Sequence, residues 1–377
     1  MYQSQVSFES PLAPNEFCSE EMMVREQRTV FATSWMFAGC VSEISQTGQY
    51  LSLEVAGTPV LIRNFDGTLK AFLNVCSHRH CSLVTASRGQ SDRLKCPFHG
   101  WEFGSDGRTR RIPAAQNFPG FDRDRYRLTE YCVETCGDLI FVRLSPDGPA
   151  LKDWLGDLFD RILQVTDRSD WTLAMRRDVV FDANWKIPVE ASLESYHIPE
   201  VHAATFSEDP GEDKSEHAFG GRTSTFRTSF NTPRWIDHLL KTVEQCILKI
   251  LGVPFTGRYE HHHVLPNLLI SHTDSLTLVQ TVSPTGSQMS VSGIWQYRRM
   301  SVRRNPFSRL ISWGWGKFTN ILTWQILKED IRMYPVIQRG ERAAKVRGIL
   351  GRCEERLHFF ETFVAQQVQT LQDGGAT

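Results

Sequence analysis

Cys76-Ser77-His78 and Cys96-Pro97-Phe98-His99, separated by the 17 residues 79 to 95, form two short clips that each carry one thiol and one imidazole. Two Cys and two His at such spacings mark a metal site. Tetrahedral zinc is one reading, but zinc clips usually gather two cysteines in one arm and two histidines in the other. Mixed arms suit a two-iron, sulfide-bridged cluster in which one iron keeps two thiolates and the other takes two histidines.

The pattern Cys-x-His then Cys-x-x-His resembles the Rieske motif, and Gly100-Trp101-Glu102-Phe103 with Asp106-Gly107 resembles that family's continuation. The resemblance implies a [2Fe–2S] cluster held by Cys76, His78, Cys96 and His99. Neutral imidazoles in place of thiolates make such a cluster less negative and raise its potential, into roughly the −150 to +300 mV range. Respiratory members of the family carry one further cysteine per arm, joined as a disulfide. Here Cys81 stands in the first arm but Phe98 occupies the matching slot of the second, so that disulfide cannot form and Cys81 is expected to be a packed free thiol.

At 377 residues the chain is comfortable for two domains. The 42 Lys and Arg balance 43 Asp and Glu, so overall charge points to neither a nucleic-acid nor an acidic-membrane partner. Met1 to Gln5 lack a basic region followed by an apolar run, which argues against a secretory signal. The seven cysteines outside the clips are irregularly spaced and suit a reduced, cytoplasmic setting. The most apolar late segment, 306 to 327, is interrupted by Arg309, Gly314, Gly316, Lys317 and Asn320 and is too broken to span a membrane.

The chain divides by pattern into an N-terminal arm and helix (1–38), a small β domain (39–148) and a larger domain (149–377). Ser19 followed by Glu20 and Glu21 starts a helix that runs to about Thr33. Short alternating runs at 51 to 55, 60 to 62 and 69 to 72 read as strands, with Asp66-Gly67 as a hairpin turn. Leu139 to Leu144 closes the β domain, and Pro146-Asp147-Gly148-Pro149 marks the boundary. Apolar residues from Leu151 to Leu163 recur at helical spacing. Runs at 171 to 181, 264 to 270, 275 to 283 and 289 to 297 suggest an antiparallel sheet, and 309 to 333 and 341 to 370 suggest helices. The polar, Gly-rich segment 207 to 224 reads as a surface loop or lid.

A second constellation lies in Asn184-Trp185-Lys186 through Glu194-Ser195-Tyr196-His197-Ile198-Pro199-Glu200-Val201-His202. Glu194 and His197, at i and i+3, are expected on one face of a helix. Pro199 is expected to end or bend that helix, letting His202 swing in from a turn. Two histidines and one carboxylate make the facial triad of non-haem Fe(II), with coordination sites left open.

From about residue 25 to 345 the chain resembles the terminal oxygenase (α) subunits of Rieske non-haem iron oxygenases, including choline- and carnitine-type monooxygenases. That resemblance implies an α+β chain: an all-β Rieske domain, then a catalytic domain of antiparallel sheet and helices, helix-grip-like. It makes His197 and His202 the iron's histidine ligands and Asp330 its carboxylate, because Glu329-Asp330-Ile331 followed by Gln338-Arg339-Gly340 resembles the family's late acidic motif; Glu329 is the fallback. Glu194 matches the family's acidic bridge, which contacts a ligand histidine and a Rieske histidine of the neighbouring subunit. The position after Glu190, often Asn in relatives, is Ala191. His261, His262 and His263 alternate faces if they lie on a strand, so they read as pocket or packing residues.

No Gly-rich dinucleotide fingerprint is present, so electrons from NAD(P)H would come through a separate flavin or iron–sulfur reductase, with or without a ferredoxin. The resemblance further implies a homotrimer in which each cluster serves a neighbour's iron. The expected reaction uses O2 to hydroxylate or oxidatively dealkylate a small organic molecule. Alternatives are the α subunit of a cis-dihydroxylating aromatic-ring dioxygenase, and a Rieske electron carrier with no catalytic iron.

Overall fold

The computed structural model describes residues 1–203, 205, 209–229, 234–303 and 305–374. The chain forms two compact units, one of Phe31–Trp154 and one of Met1–Val30 with Leu155–Thr377. The first 30 residues, read from sequence as part of a separate arm, count with the larger unit.

In the smaller unit seven antiparallel strands run in the order Met36–Cys40, Leu139–Arg143, Glu130–Cys136, Thr68–Leu73, Thr58–Phe65, Gln49–Val55, Arg88–Gln90. The hairpin between Thr58–Phe65 and Thr68–Leu73 turns at Asp66 and Gly67, both with positive φ (51° and 89°), the twist that an Asp-Gly pair favours. Asn64 Oδ1 accepts the Gly67 N–H at 2.8 Å and fixes the turn. A second sheet, Leu94–Lys95, Glu102–Phe103 and Thr109–Arg111, carries the other clip. Leu61, Phe72, Leu83, Leu94, Trp101 and Leu128 pack one apolar core, and both clip cysteines are part of it.

The larger unit is built on a second seven-stranded antiparallel sheet, ordered Trp171–Phe181, Met289–Arg299, Leu276–Gly286, Leu268–His272, Arg258–Val264, Thr223–Ser229, Ser215–Phe219. The last two of these fall where a polar surface loop was expected over 207 to 224. A polar edge strand and its Ser- and Thr-rich neighbour give no apolar run to read; of that stretch, 207 and 208 lie outside the described residues. One helix, Pro306–Ala343, replaces the two expected around 309 to 333 and the start of 341 to 370; Pro335 lies within it instead of ending it. A last helix runs from Glu355 to Gly374. The expected 151–163 helix is two, Leu151–Leu155 and Leu158–Val165. Among the described residues no helix is long and apolar enough to cross a membrane.

The N-terminal arm is fastened to this unit from both sides. Phe8 and Glu9 pair as a short strand with Leu350 and Ile349. Ser19 caps the helix Glu20–Glu26, accepting the Met22 N–H at 3.2 Å, but regular α-helix ends at Glu26 and gives way to a wider π-type turn, Gln27–Phe31. Glu26 is fully buried. Its carboxylate takes the Lys186 ammonium at 2.6 Å and the Trp185 indole N–H at 2.7 Å. The Asn184-Trp185-Lys186 run is therefore structural: Asn184 donates to the Ser287 carbonyl at 2.7 Å, and its backbone N–H donates to Gln338 Oε1 at 2.7 Å.

Candidate metal centres

The two clips share one backbone device. In the first, Cys76 N–H donates to the Cys81 carbonyl (2.8 Å) and His80 N–H returns to Cys76 (3.0 Å); in the second, Cys96 N–H donates to Trp101 (2.8 Å) and Gly100 N–H to Cys96 (3.0 Å). The fourth residue after each cysteine is left-handed, His80 at φ 58° and Gly100 at φ 73°. Such turns aim backbone N–H groups and the following imidazole toward the thiol. The His78 and His99 rings lie 4.7 Å apart between centroids, and His78 stacks on Trp101 at 4.6 Å with planes 4° apart.

Both cysteines are 1% exposed. Burial pushes the Cys76 thiol up to about 11, against hydrogen bonds from the His78 and Arg79 N–H groups that favour the thiolate. A buried thiolate here needs a cation in place of its proton. His78 Nδ1 is likewise buried with no protein partner, although polar atoms at that depth are ordinarily satisfied. Two thiols and an orphaned imidazole nitrogen fit a metal–sulfur cluster. Cys81 is a free, half-buried thiol.

In the larger unit three potential ligands converge: one atom each from His197, His202 and Asp330 lie within 4.8 Å of one another. The local structure differs from the expected helix. Glu194 and His197 sit in a turn after the helix Lys186–Ala191, and Pro199 is the second residue of a four-residue helix, Ile198–Val201, where its missing N–H costs no helical hydrogen bond. His197 and His202 flank that helix at its two ends, so its single turn sets their separation. Asp330 comes from the helix Pro306–Ala343.

Each imidazole is held at one nitrogen and presented at the other. Glu194 accepts from His197 twice, Oε1 at ring Nδ1 and Oε2 at the backbone N–H at 3.0 Å. Glu329 accepts from His202 Nδ1 at 2.7 Å and from the Thr205 hydroxyl at 2.7 Å. Both Nε2 atoms then face Asp330, at 3.0 Å from His202 and 3.6 Å from His197. Burial disfavours charge on His197, but hydrogen bonds to Asp330 and Glu194 outweigh it and push the ring up to about 10. The same contacts hold the Asp330 carboxyl below its usual range although burial acts the other way. Three carboxylates around two rings make a negative hole suited to a dication with neutral imidazole and carboxylate donors.

The role of Glu329 as partner of His202 was not apparent from sequence, where it stood as an alternative to Asp330. His261, His262 and His263 are all buried on the strand Arg258–Val264 and alternate faces. His262 meets Thr225 at 3.0 Å and Glu260 at 3.3 Å, whereas His261 Nδ1 meets the buried Arg356 guanidinium at 3.0 Å. Among the described residues His263 joins no cluster of potential metal ligands; its Nε2 lies 3.0 Å from the Pro266 carbonyl.

A sequence profile for the Rieske [2Fe-2S] domain matches residues 34–128, and one for the ring hydroxylating alpha subunit (catalytic domain) matches 165–370. The chain belongs to the ring-hydroxylating alpha subunit family, the Rieske oxygenases, which are oxidoreductases carrying a Rieske cluster and a mononuclear iron. It is 32% identical over 187 residues to the glycine betaine monooxygenase oxygenase subunit of Pseudomonas aeruginosa, covering 49% of this chain and 43% of that protein. It is 30% identical over 207 residues to the carnitine monooxygenase oxygenase subunit of Escherichia coli, covering 54% and 55%. The chain thus spans about half the length of the curated relatives it matches. In fold it is similar to a quaternary ammonium Rieske monooxygenase in complex with L-carnitine, at TM-score 0.76 and 20% identity over 97% of this chain and 96% of that one.

Proposed function

We propose that this chain is the terminal oxygenase component of a multi-protein system that uses NAD(P)H-derived electrons and O2 to hydroxylate or oxidatively dealkylate a small organic substrate. Cys76, His78, Cys96 and His99 would hold a [2Fe–2S] cluster, and His197, His202 and Asp330 one Fe(II). When bound, the cluster supplies one-electron transfer and the lone iron supplies dioxygen activation. The observation that carries the reading is the presentation of two Nε2 atoms and one carboxylate to a common point, with both Nδ1 atoms already engaged by Glu194 and Glu329.

The chain's own residues orient and exclude. Glu194 and Glu329 fix the tautomer, so that Nε2 is the free donor, and raise the basicity of each ring. The Glu194 side chain is 9% exposed, and each of its oxygens retains a lone pair beyond the His197 contacts. It can therefore take a second donor, which in a homotrimer would be a cluster histidine of the neighbouring subunit. Electrons would reach the cluster from a separate flavin or iron–sulfur reductase, with or without a ferredoxin, in the cytoplasm. The relatives named for glycine betaine and carnitine make quaternary ammonium compounds the first class to screen, by substrate-dependent O2 uptake with a surrogate reductase.

Iron content tests the reading. The wild-type chain should hold about three iron atoms, two in the cluster and one beyond it. His197→Ala should keep the Rieske absorption, drop to about two iron atoms and form no product. A wild-type chain with only the cluster's iron would remove the catalytic claim.

A further inference from the structure

The long helix Pro306–Ala343 reverses the usual polarity of a surface helix. Toward the sheet it presents small and polar residues, Ser308, Ser312, Gly316, Thr319 and Thr323, all buried. Their hydroxyls are spent locally: Ser312 donates to the Arg299 carbonyl at 2.6 Å, and Thr319 accepts from Gln296 at 3.1 Å. Small inward residues let the helix lie close on the strand Met289–Arg299, where the Arg298 side chain fills the space beside Gly316. Toward solvent it presents Phe307, Leu310, Phe318 and Ile321, which are 63%, 61%, 41% and 70% exposed. At 3.6 residues per turn these four share an arc of about 80°, opposite the buried arc. Trp313 flanks them at 53% exposure.

The neighbouring helix Trp235–Leu251, whose Ile247 packs with Ile311 in one cluster, adds Trp235 at 77% and Leu239 at 48% exposure. So many large apolar side chains exposed on two adjoining helices mark a docking face. Its charge says for what. From Ser275 to Lys328 the sequence holds no Asp or Glu and seven Lys and Arg. Of these, Arg303, Arg309, Lys317 and Lys328 are exposed, and among the described residues none makes an ion pair with a carboxylate. Overall neutrality therefore conceals a long helix whose first roughly six turns bear only positive charge, beside a second helix in which Lys241 and Lys249 stand with Asp237 and Glu244. Two copies of the chain meeting through it about a two-fold axis would set like charges against each other, and its use in a head-to-tail ring contact is the separate outcome that an oligomer-dissociating variant reports. Anionic lipid headgroups would not: basic residues meet the phosphates while Trp, Phe and Leu enter the headgroup boundary.

We propose that the outward faces of these two helices dock the larger unit peripherally on an anionic lipid surface. The test is co-sedimentation of the cluster-loaded full chain with vesicles of phosphatidylcholine alone or of phosphatidylcholine and phosphatidylglycerol in equal parts. Wild type should bind the anionic vesicles and leave the neutral ones. Leu310→Glu with Ile321→Glu should abolish binding while the Rieske absorption and melting temperature stay unchanged, because both side chains are exposed. Lys317→Ser and Lys328→Ser should each weaken binding by about fivefold. Absence of wild-type binding, equal binding to neutral vesicles, or binding untouched by Leu310→Glu with Ile321→Glu would overturn the proposal. So would conversion of a wild-type oligomer to a smaller species by that double variant without any vesicle binding, which would make the face an interface between copies.

Discussion

Glu329 and His202 form a fixed pair: the carboxylate takes the ring's Nδ1 at 2.7 Å, while the next residue, Asp330, meets the same ring's Nε2 at 3.0 Å. Adjacent carboxylates thereby have separate tasks, one orienting an imidazole and the other sharing the point that imidazole faces. Glu329→Gln should lower iron affinity about 10–100-fold, the usual effect of losing a ligand's supporting partner. Asp330→Ala should leave the second iron unbound at any accessible concentration. Metal titration of the iron-stripped proteins checks both, and the reverse ranking would exchange the two roles.

Removing one member of the buried pair that anchors the N-terminal arm should be costly. Glu26→Gln leaves the Lys186 ammonium, 0% exposed, without its counter-charge and should destabilise the larger unit by about 3–5 kcal/mol in denaturant unfolding. Glu26→Met with Lys186→Met should recover most of that loss, since it leaves no unpaired charge. Failure of the double variant to recover would show that the pair's geometry, and not merely its charge balance, holds the arm.

A third expectation concerns acid. Burial alone would raise the Glu260 carboxyl, but His262 and Arg161, the latter at 2.7 Å, hold it down at about 2, below its ordinary 4.5. A depressed carboxylate contributes stability above its unfolded pKa and loses it as pH falls toward the folded one. Glu260→Gln should therefore cost about 2–3 kcal/mol at pH 7, and its gap from wild type should close between about pH 4.5 and pH 2. Urea melts at several pH values read this directly; a gap independent of pH would remove the charge as its cause.

The clips were legible because thiols and imidazoles are rare, and a fixed turn repeats their spacing around Cys76 and Cys96. His197 and His202 were legible by type and order, but not their scaffold: Pro199 sits in the first turn of a one-turn helix where sequence suggested an ending. Asp330 and Glu329 could not be told apart in role, since neighbouring residues on a helix differ by about 100° in direction and both reach His202. The hairpin Ser215–Phe219 and Thr223–Ser229 was hidden by its polar edge. The anchoring of the arm was hidden by distance along the chain, because Glu26 meets a lysine 160 residues later. Net charge near zero obscured the basic helix face for a related reason: a sum over 377 residues averages out a local excess.

Pairing of Phe8 and Glu9 with Leu350 and Ile349 makes Phe31–Trp154 an insertion within the larger unit. During synthesis the inserted segment emerges whole and can mature early, whereas the opening strand must wait for a partner 342 positions downstream. At ordinary ribosomal speeds that delay is roughly 15–70 s, during which Glu26 and its apolar neighbours stay uncovered. The two cysteine clips of the smaller unit would therefore be in place to take up a cluster before the triad of the larger unit is assembled.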